Sequence, residues 1–97
     1  MLYAIIAYDK PDGLALRNST RPAHLDYLTQ VNSAIVLAGR MLDDNGDANG
    51  SLLVVKADDL AAATAIADGD PFAQAGLFAS RKVTPWNWAI NRPPGLA

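Results

Sequence analysis

MLYAIIAYDKPDG, residues 1–13, is the stretch that decides the fold class. Its residues from Leu2 to Tyr8 favour β-structure, and the turn signal DKPDG follows, so the sequence predicts a first strand. Alternate residues of a strand point to opposite faces of a sheet, and here both sets are apolar. A strand with one face in solvent normally alternates apolar and polar residues. We therefore expect this strand to be covered on both sides.

A helix is expected next. Ser19 or Thr20 can cap a helix that opens around Arg21 and Pro22, because proline is tolerated in a first helical turn. At about 100° per residue, His24 shares one side of this helix with Arg21 and with an apolar stripe further along.

The remaining elements alternate in type along the chain. Residues 35–42 (IVLAGRML) predict a second strand, residues 43–50 (DDNGDANG) a loop, and residues 51–57 (SLLVVKA) a third strand. Asp58 is the expected N-cap of a second helix, DLAAATAIAD, which Gly69 ends. A short irregular or single-turn segment, DPFAQAG, and a long fourth strand over residues 77–88 complete the prediction.

The order β-α-β-β-α-β predicts one α+β domain over residues 1–97 with a ferredoxin-like fold. Two helices then cover one face of a four-stranded antiparallel sheet and leave the other face bare. Because the first strand is apolar on both faces, we expect a second copy of the chain to pack sheet to sheet, which gives a homodimer.

Composition excludes several classes of function. The chain has net charge −2 and no cysteine, and its positive charges are scattered, so we expect neither nucleic-acid binding nor disulfides, thiolate metal sites or a cysteine nucleophile. Nucleotide-binding glycine motifs do not occur, and one histidine with scattered acids is a poor metal site, so no cofactor or metal is expected. The apolar run at the start is too short to cross a membrane, and a cytoplasmic location is expected.

His24 is the single histidine of the chain. Imidazole can take up or release a proton near neutral pH, which makes His24 the candidate general base or acid. The alternative is a hydrogen-bonded structural histidine at a helix start. Arg21, on the same helix side, could bind a carboxylate or phenolate oxygen, as could Arg17, or it could be solvated.

The aromatic residues Tyr8, Phe72 and Phe78 could form a wall for a ring-shaped ligand, although aromatic residues in strands more often belong to the core. Trp86 and Trp88 share a face of the fourth strand and are assigned to core or dimer contacts.

Five segments together resemble one family: MLYAIIAYDKPD, RPAHLDYL, LAGRMLDD, GSLLVVKADDLAAATAIADGDPF and AGLFASRKVTPWNW. In this order and spacing they are similar to the YciI-like (YCII-related) proteins. The resemblance implies a dimeric α+β barrel, a fold shared with muconolactone isomerases and small cofactor-free monooxygenases. It also implies a histidine–aspartate pair in a pocket, and one branch of the family contains a dehydrochlorinase that acts on a chlorinated hydroxyquinol.

The family's histidine corresponds to His24 and its acid to Asp70 of GDPF, with Asp68 as the competing partner. Asp70 would accept the imidazole N–H and fix the tautomer, although Asp before Pro is also common turn chemistry. Members often have AGP after the second strand. Here Arg40 replaces that proline and either favours an anionic ligand in the pocket or points to solvent.

The family resemblance and the chemistry of these residues together imply a cofactor-free enzyme that resembles a lyase, a dehydrochlorinase or an isomerase. It would abstract a proton from a small cyclic or aromatic substrate with His24 and Asp70, while Arg21, Arg40, Tyr8 and Phe72 bind that substrate. The alternative is a non-catalytic dimer that binds or senses a small molecule. A purely structural module is the third hypothesis, and it predicts no pocket beside His24.

Overall fold

The computed structural model describes residues 1–96, and its main elements follow the predicted order. They are β1 (Leu2–Asp9), α1 (Leu14–Gln30), β2 (Ile35–Leu42), β3 (Ala48–Lys56), α2 (Leu60–Gly69), α3 (Pro71–Gln74) and β4 (Phe78–Pro85), with a 3₁₀ turn at Asn32–Ala34 before β2. The four strands form one antiparallel sheet in the order β2-β3-β1-β4. The predicted α+β ferredoxin-like fold is confirmed.

The core lies between the sheet and the helices. Tyr3 and Ile5 of β1 are paired with Val55 and Leu53 of β3, and all four side chains are buried. They pack against small residues of α2, including Ala63, which is fully buried. The alanines therefore let the helix approach the sheet closely, as their number in the sequence indicates.

The opposite face of the sheet, here called the outer face, is apolar but only partly covered. Ala4 and Val54, which are cross-strand partners, are buried there. Leu37 and Leu52 are each 37% exposed and Tyr8 is 52% exposed. The expected second copy on this face stays a prediction, and no helix within residues 1–96 is long and apolar enough to span a membrane.

Helix α1 begins earlier than predicted. It starts at Leu14 rather than around Arg21, so Pro22 lies in the helix interior. The Ser19 hydroxyl donates to the Leu16 carbonyl and caps nothing. The start was missed because no side chain caps the first turn, which follows Gly13. An interior proline costs about 3 kcal/mol, and tertiary contacts of the first two turns, described below, offset this cost.

Three further boundaries differ from the prediction. Asp59, not Asp58, caps α2, because its Oδ1 accepts the Ala62 N–H at 2.8 Å. Strand β3 begins at Ala48, earlier than predicted. The loop before it is short, because Asp43 Oδ1 accepts two backbone N–H groups within the loop and so holds a tight turn.

Strand β4 is shorter than expected and ends at Pro85, which carries no N–H for a ladder. Trp86 and Trp88 therefore lie beyond β4. Their rings contact each other at 5.5 Å between centroids, and Trp86 is 38% exposed, so Trp86 does not belong to the core of this chain. The other assignment of the two tryptophans, to a dimer contact, stays a prediction. The last residue of the tail, Ala97, lies outside the described residues.

Candidate functional site

The site is built around a contact between His24 of α1 and Asp70, the residue that joins α2 to α3. The Nδ1 atom of His24 lies 2.8 Å from Oδ1 of Asp70. Both residues are buried, with 9% and 6% of their surfaces exposed. A carboxylate accepts hydrogen bonds, so the partner nitrogen carries the proton in this tautomer. Nε2 of His24 is then the nitrogen left for a ligand.

Asp70 also has the structural role that turn chemistry predicts. Its Oδ1 accepts the backbone N–H of Phe72 at 3.0 Å and so caps α3. The same oxygen thus serves both the helix and the imidazole. Asp68, the competing partner, instead forms an ion pair with Arg81 at 2.7 Å at the surface. The structure therefore brings His24 together with Asp70 and not with Asp68.

Phe72 connects the imidazole to a buried arginine. Its ring stacks on that of His24, with centroids 4.1 Å apart and planes inclined by 20°. The guanidinium carbon of Arg17 lies 4.5 Å from the centroid of the same phenyl ring. Phe78 packs edge-on against Phe72 at 6.2 Å. Phe72 is 1% exposed, so its ring is a fixed part of the site.

Arg17 is held by two residues that the sequence analysis missed. Its Nε and Nη2 donate to the two carboxylate oxygens of Asp9 at 2.7 and 2.8 Å. Nη2 also donates to Ser51 Oγ at 2.9 Å. Two sequence signals were available. Arg17 lies two helical turns before His24, and Ser51 is a polar residue in register with the inward-facing Leu53 and Val55 of an apolar strand.

A cleft of about 250 Å³ lies beside His24, between α1 and strands β2 and β3. Its walls include His24, Phe72, Ser51 and three arginines, Arg17, Arg21 and Arg40. The charge of Arg17 is balanced by Asp9. Within residues 1–96, neither Arg21 nor Arg40 forms an ion pair. The cleft therefore carries excess positive charge, and its presence disagrees with the hypothesis of a purely structural module.

Two expected site residues, Asp70 and Tyr8, do not line this cleft. Asp70 is connected to it through its contact with His24, whereas Tyr8 lies elsewhere. Its neighbour Ala7 is 1% exposed and faces the helices, so Tyr8 points to the outer face. Periodicity alone fixes this orientation once the core face of β1 is known. Among residues 1–96, no group of three His, Asp or Glu side chains is arranged to hold a metal ion.

Tyr27 is a further residue that sequence reasoning missed. Its hydroxyl donates to the Ile66 carbonyl at 2.7 Å and ties α1 to the end of α2. Burial, and then the negative charges of Asp70 and Asp68, raise the pKa of Tyr27 above its ordinary value of 10.0. The tyrosine is thus held neutral as a donor, and it fixes the helix end that carries Asp70 next to His24.

Residues 1–87 match the sequence model of the YCII-related domain. The chain belongs to the YCII-related family. Two curated relatives, protein YciI of Escherichia coli O6:H1 (strain CFT073) and protein YciI of Shigella flexneri, are each 39% identical to this chain. Both alignments cover 89% of this YCII-related chain and 96% of the relative. The resemblance inferred from the five sequence segments is confirmed.

Two solved structures are similar to this YCII-related chain. One is 5-chloro-2-hydroxyhydroquinone dehydrochlorinase (TftG) from Burkholderia phenoliruptrix AC1100, in complex with 2,5-dihydroxybenzoquinone. It is 34% identical, with a TM-score of 0.82 over 90% of this chain and 94% of that one. The other, an uncharacterized NIPSNAP domain protein from Burkholderia xenovorans, is 19% identical with a TM-score of 0.53, and it shares the fold.

Proposed function

We propose that this chain is a small, cofactor-independent enzyme that uses His24 and Asp70 for general acid/base chemistry on a small cyclic or aromatic substrate. The observation that carries the proposal is the 2.8 Å contact between Oδ1 of the buried Asp70 and Nδ1 of His24, which lines the cleft. A base oriented by a carboxylate is suited to proton transfer, and the proposal requires no side-chain nucleophile.

The two residues have distinct roles in this proposal. Asp70 holds the Nδ1–H of His24, so Nε2 carries the lone pair that takes a proton from the substrate, from a hydroxyl in the case of a hydroquinone. The carboxylate then stabilises the imidazolium that forms. In an elimination from a chlorohydroquinone, the imidazolium gives this proton to the chlorine-bearing carbon. His24 then takes a second hydroxyl proton, the ring electrons expel chloride, and a quinone is left. In an isomerisation, the imidazolium returns the proton to another carbon.

Arg21 and Arg40 hold an anionic oxygen of the substrate. Both line the cleft, and neither has an acidic partner within residues 1–96, so their charge is available to a ligand. Phe72 contributes an aromatic edge, because its ring is already stacked on His24. Tyr8 lies on the outer face, away from the cleft. For Tyr8 to contact the ligand, it would have to come from a second copy of the chain, or the chain would have to change conformation.

The relative TftG supports the class of reaction. It is named as a dehydrochlorinase, which removes a proton and a chloride from its substrate, and its structure holds a small oxygen-rich ring compound. A cleft of about 250 Å³ is slightly smaller than the pockets that bury drug-sized ligands, which suits a single small ring. The first compounds to test are therefore 5-chloro-2-hydroxyhydroquinone as substrate and 2,5-dihydroxybenzoquinone as ligand.

Chloride release from 5-chloro-2-hydroxyhydroquinone tests the proposal. We expect His24→Gln to lower kcat by about 10²- to 10⁴-fold, the usual contribution of a general base. Asp70→Asn keeps a side-chain oxygen that can cap α3, and its kcat should fall less than that of His24→Gln. Arg81→Met, a change at a surface ion pair, is the matched control. Turnover by His24→Gln equal to that of the wild type would contradict the proposal.

The alternative, a non-catalytic dimer that binds or senses a small molecule, predicts a different pattern. The cleft and its free arginines favour it as much as they favour catalysis. It predicts that 2,5-dihydroxybenzoquinone binds to wild type and His24→Gln with equal affinity in calorimetry, with no chloride release by either.

We also propose that the chain forms a homodimer through the outer face and resides in the cytoplasm. Exposed apolar side chains on that face, Leu37 and Leu52 among them, support a sheet-to-sheet contact. Light scattering should give the mass of two chains, and a single-chain mass at every concentration would contradict the dimer. The cysteine-free sequence suits a reducing compartment, and cell fractionation tests that location.

A further inference from the structure

We propose that the buried Asp9–Arg17 ion pair is a positioning element that acts through Phe72 to orient His24 and its partner Asp70. The proposal rests on the function proposed above, because it concerns how the histidine is held for proton transfer. It adds Arg17, Asp9 and Phe72 as positioning residues that do not themselves transfer the proton.

The spacing along α1 creates the space that Phe72 fills. Arg17 and His24 are seven residues apart, so they project from the same helix face about 10 Å apart along the axis. Phe72 contacts both, at 4.5 Å from the guanidinium carbon and 4.1 Å from the imidazole centroid. Its ring therefore occupies the gap between them, and the orientation of one side chain constrains the other.

The sheet fixes the guanidinium end of this arrangement. Asp9 of β1 binds Arg17 with both carboxylate oxygens, and Ser51 of β3 accepts a further bond. The side chains of Arg17 and Asp9 are only 5% and 4% exposed, so water competes little for these bonds. A bidentate pair sets the plane of the guanidinium as well as its position. The guanidinium carbon lies over the Phe72 ring at a distance at which a cation is attracted to it.

Phe72 transmits this position to both members of the proposed pair. Its ring stacks on His24, while its backbone N–H donates to Oδ1 of Asp70 at 3.0 Å. The residue whose ring stacks on the imidazole therefore also holds the carboxylate through its backbone. Lysine at position 17 would keep a positive charge near Asp9, but it has no planar fork with which to bind bidentately or to stack.

The ring protons of His24, observed by NMR in the full chain, report directly on this stacking. Protons stacked on a phenyl ring are shifted upfield, so we expect upfield Hδ2 and Hε1 signals in the wild type. Phe72→Leu measures the full loss of that shift. We expect Arg17→Met and Arg17→Lys each to lose at least half of it, and Arg17→Met/Phe72→Leu to lose no more than Phe72→Leu alone.

Arg21→Met is the matched control, because Arg21 lies on the same helix and lines the same cleft without stacking on Phe72. It should leave the His24 signals at their wild-type positions. Backbone amide signals of α2 should stay unchanged in all folded variants. If Arg17→Met does not fold, the His24 ring-proton shifts of Arg17→Lys test the proposal instead. Wild-type His24 shifts in a folded Arg17 variant would overturn the proposal.

These outcomes are separable from those of the proposed function. If the positioning proposal fails but the function is right, His24→Gln loses chloride release while the Arg17 variants keep wild-type ring shifts. If the function is wrong but the positioning is right, the ring shifts are lost in the Arg17 variants although His24→Gln changes no turnover.

Discussion

The buried ion pair between Arg17 and Asp9 gives a quantitative prediction for stability. The two side chains are 5% and 4% exposed and are joined by bonds of 2.7 and 2.8 Å. Removing one partner of such a pair leaves an uncompensated charge in the interior, which costs about 3–5 kcal/mol. Arg17→Met should therefore lower the free energy of unfolding by that amount, a large share of the 5–15 kcal/mol typical of a domain.

Urea unfolding followed by far-UV circular dichroism measures this loss, at a fixed chain concentration because a dimer would make stability depend on it. With a slope of about 1.5 kcal/mol per M urea, the midpoint should fall by about 2–3 M. Arg81→Met is the control, since the Arg81–Asp68 pair has 27% and 62% exposed side chains. A surface pair of this kind contributes about 0–1 kcal/mol.

The double variant Arg17→Met/Asp9→Leu distinguishes the cost of leaving one buried charge unpaired from the net contribution of the ion pair to stability. Replacing both partners by apolar residues removes the unpaired charge, so the double variant should be more stable than Arg17→Met alone. A loss of stability in Arg17→Met no larger than that in Arg81→Met would contradict an uncompensated buried charge. A loss in the double variant equal to the sum of the losses in the two single variants would also contradict it.

Three further predictions concern the packing around Asp70 and Tyr27. Gly69→Ala should lower the free energy of unfolding by about 1–3 kcal/mol, because its new Cβ would lie 2.5 Å from the Tyr27 hydroxyl. The control is Gly39→Ala, whose new Cβ would have nothing within 4 Å and so would clash with nothing. Urea unfolding compares the two variants. Asp70→Ala should lower the free energy of unfolding by about 0.5–2 kcal/mol through the lost cap of α3 alone. Asp70→Asn should lower it less, because asparagine can also cap a helix. Thermal unfolding compares the two variants. Because burial and the charges of Asp70 and Asp68 raise the pKa of Tyr27, its stabilising contribution is complete below pH 10.0 and is lost as pH rises through the folded-state pKa. Tyr27→Phe should therefore show a smaller fall in urea midpoint between pH 9 and pH 11 than the wild type, and an equal fall would contradict this.

The fold was predictable because strand and helix periodicity determine it. The apolar run of β1, the alanines of α2 and the glycine- and aspartate-rich turns fix the element order without knowledge of tertiary contacts. The start of α1 was not predictable in the same way. Pro22 normally marks a first turn, and what extends the helix back to Leu14 includes the long-range contacts of Arg17 with β1 and β3.

The candidate site was predictable where one residue type carries the chemistry. His24 is unique in the chain, and the family resemblance indicated Asp70, which the structure places in contact with it. Asp9 and Ser51 were missed because their roles exist only once β1 and β3 lie beside α1. Tyr8 was assigned to the site by its aromatic character, but the strand's alternation turns it to the outer face.

The proposed function depends on Asp70, which holds the Nδ1–H of His24 and leaves Nε2 free for proton transfer. Long-range ¹H–¹⁵N NMR on the ¹⁵N-labelled chain at pH 9, where an imidazole is ordinarily neutral, identifies which ring nitrogen carries the proton. We expect the Nδ1–H tautomer in the wild type and its loss in Asp70→Ala. An Nε2–H tautomer in the wild type, or the same tautomer in both proteins, would contradict it.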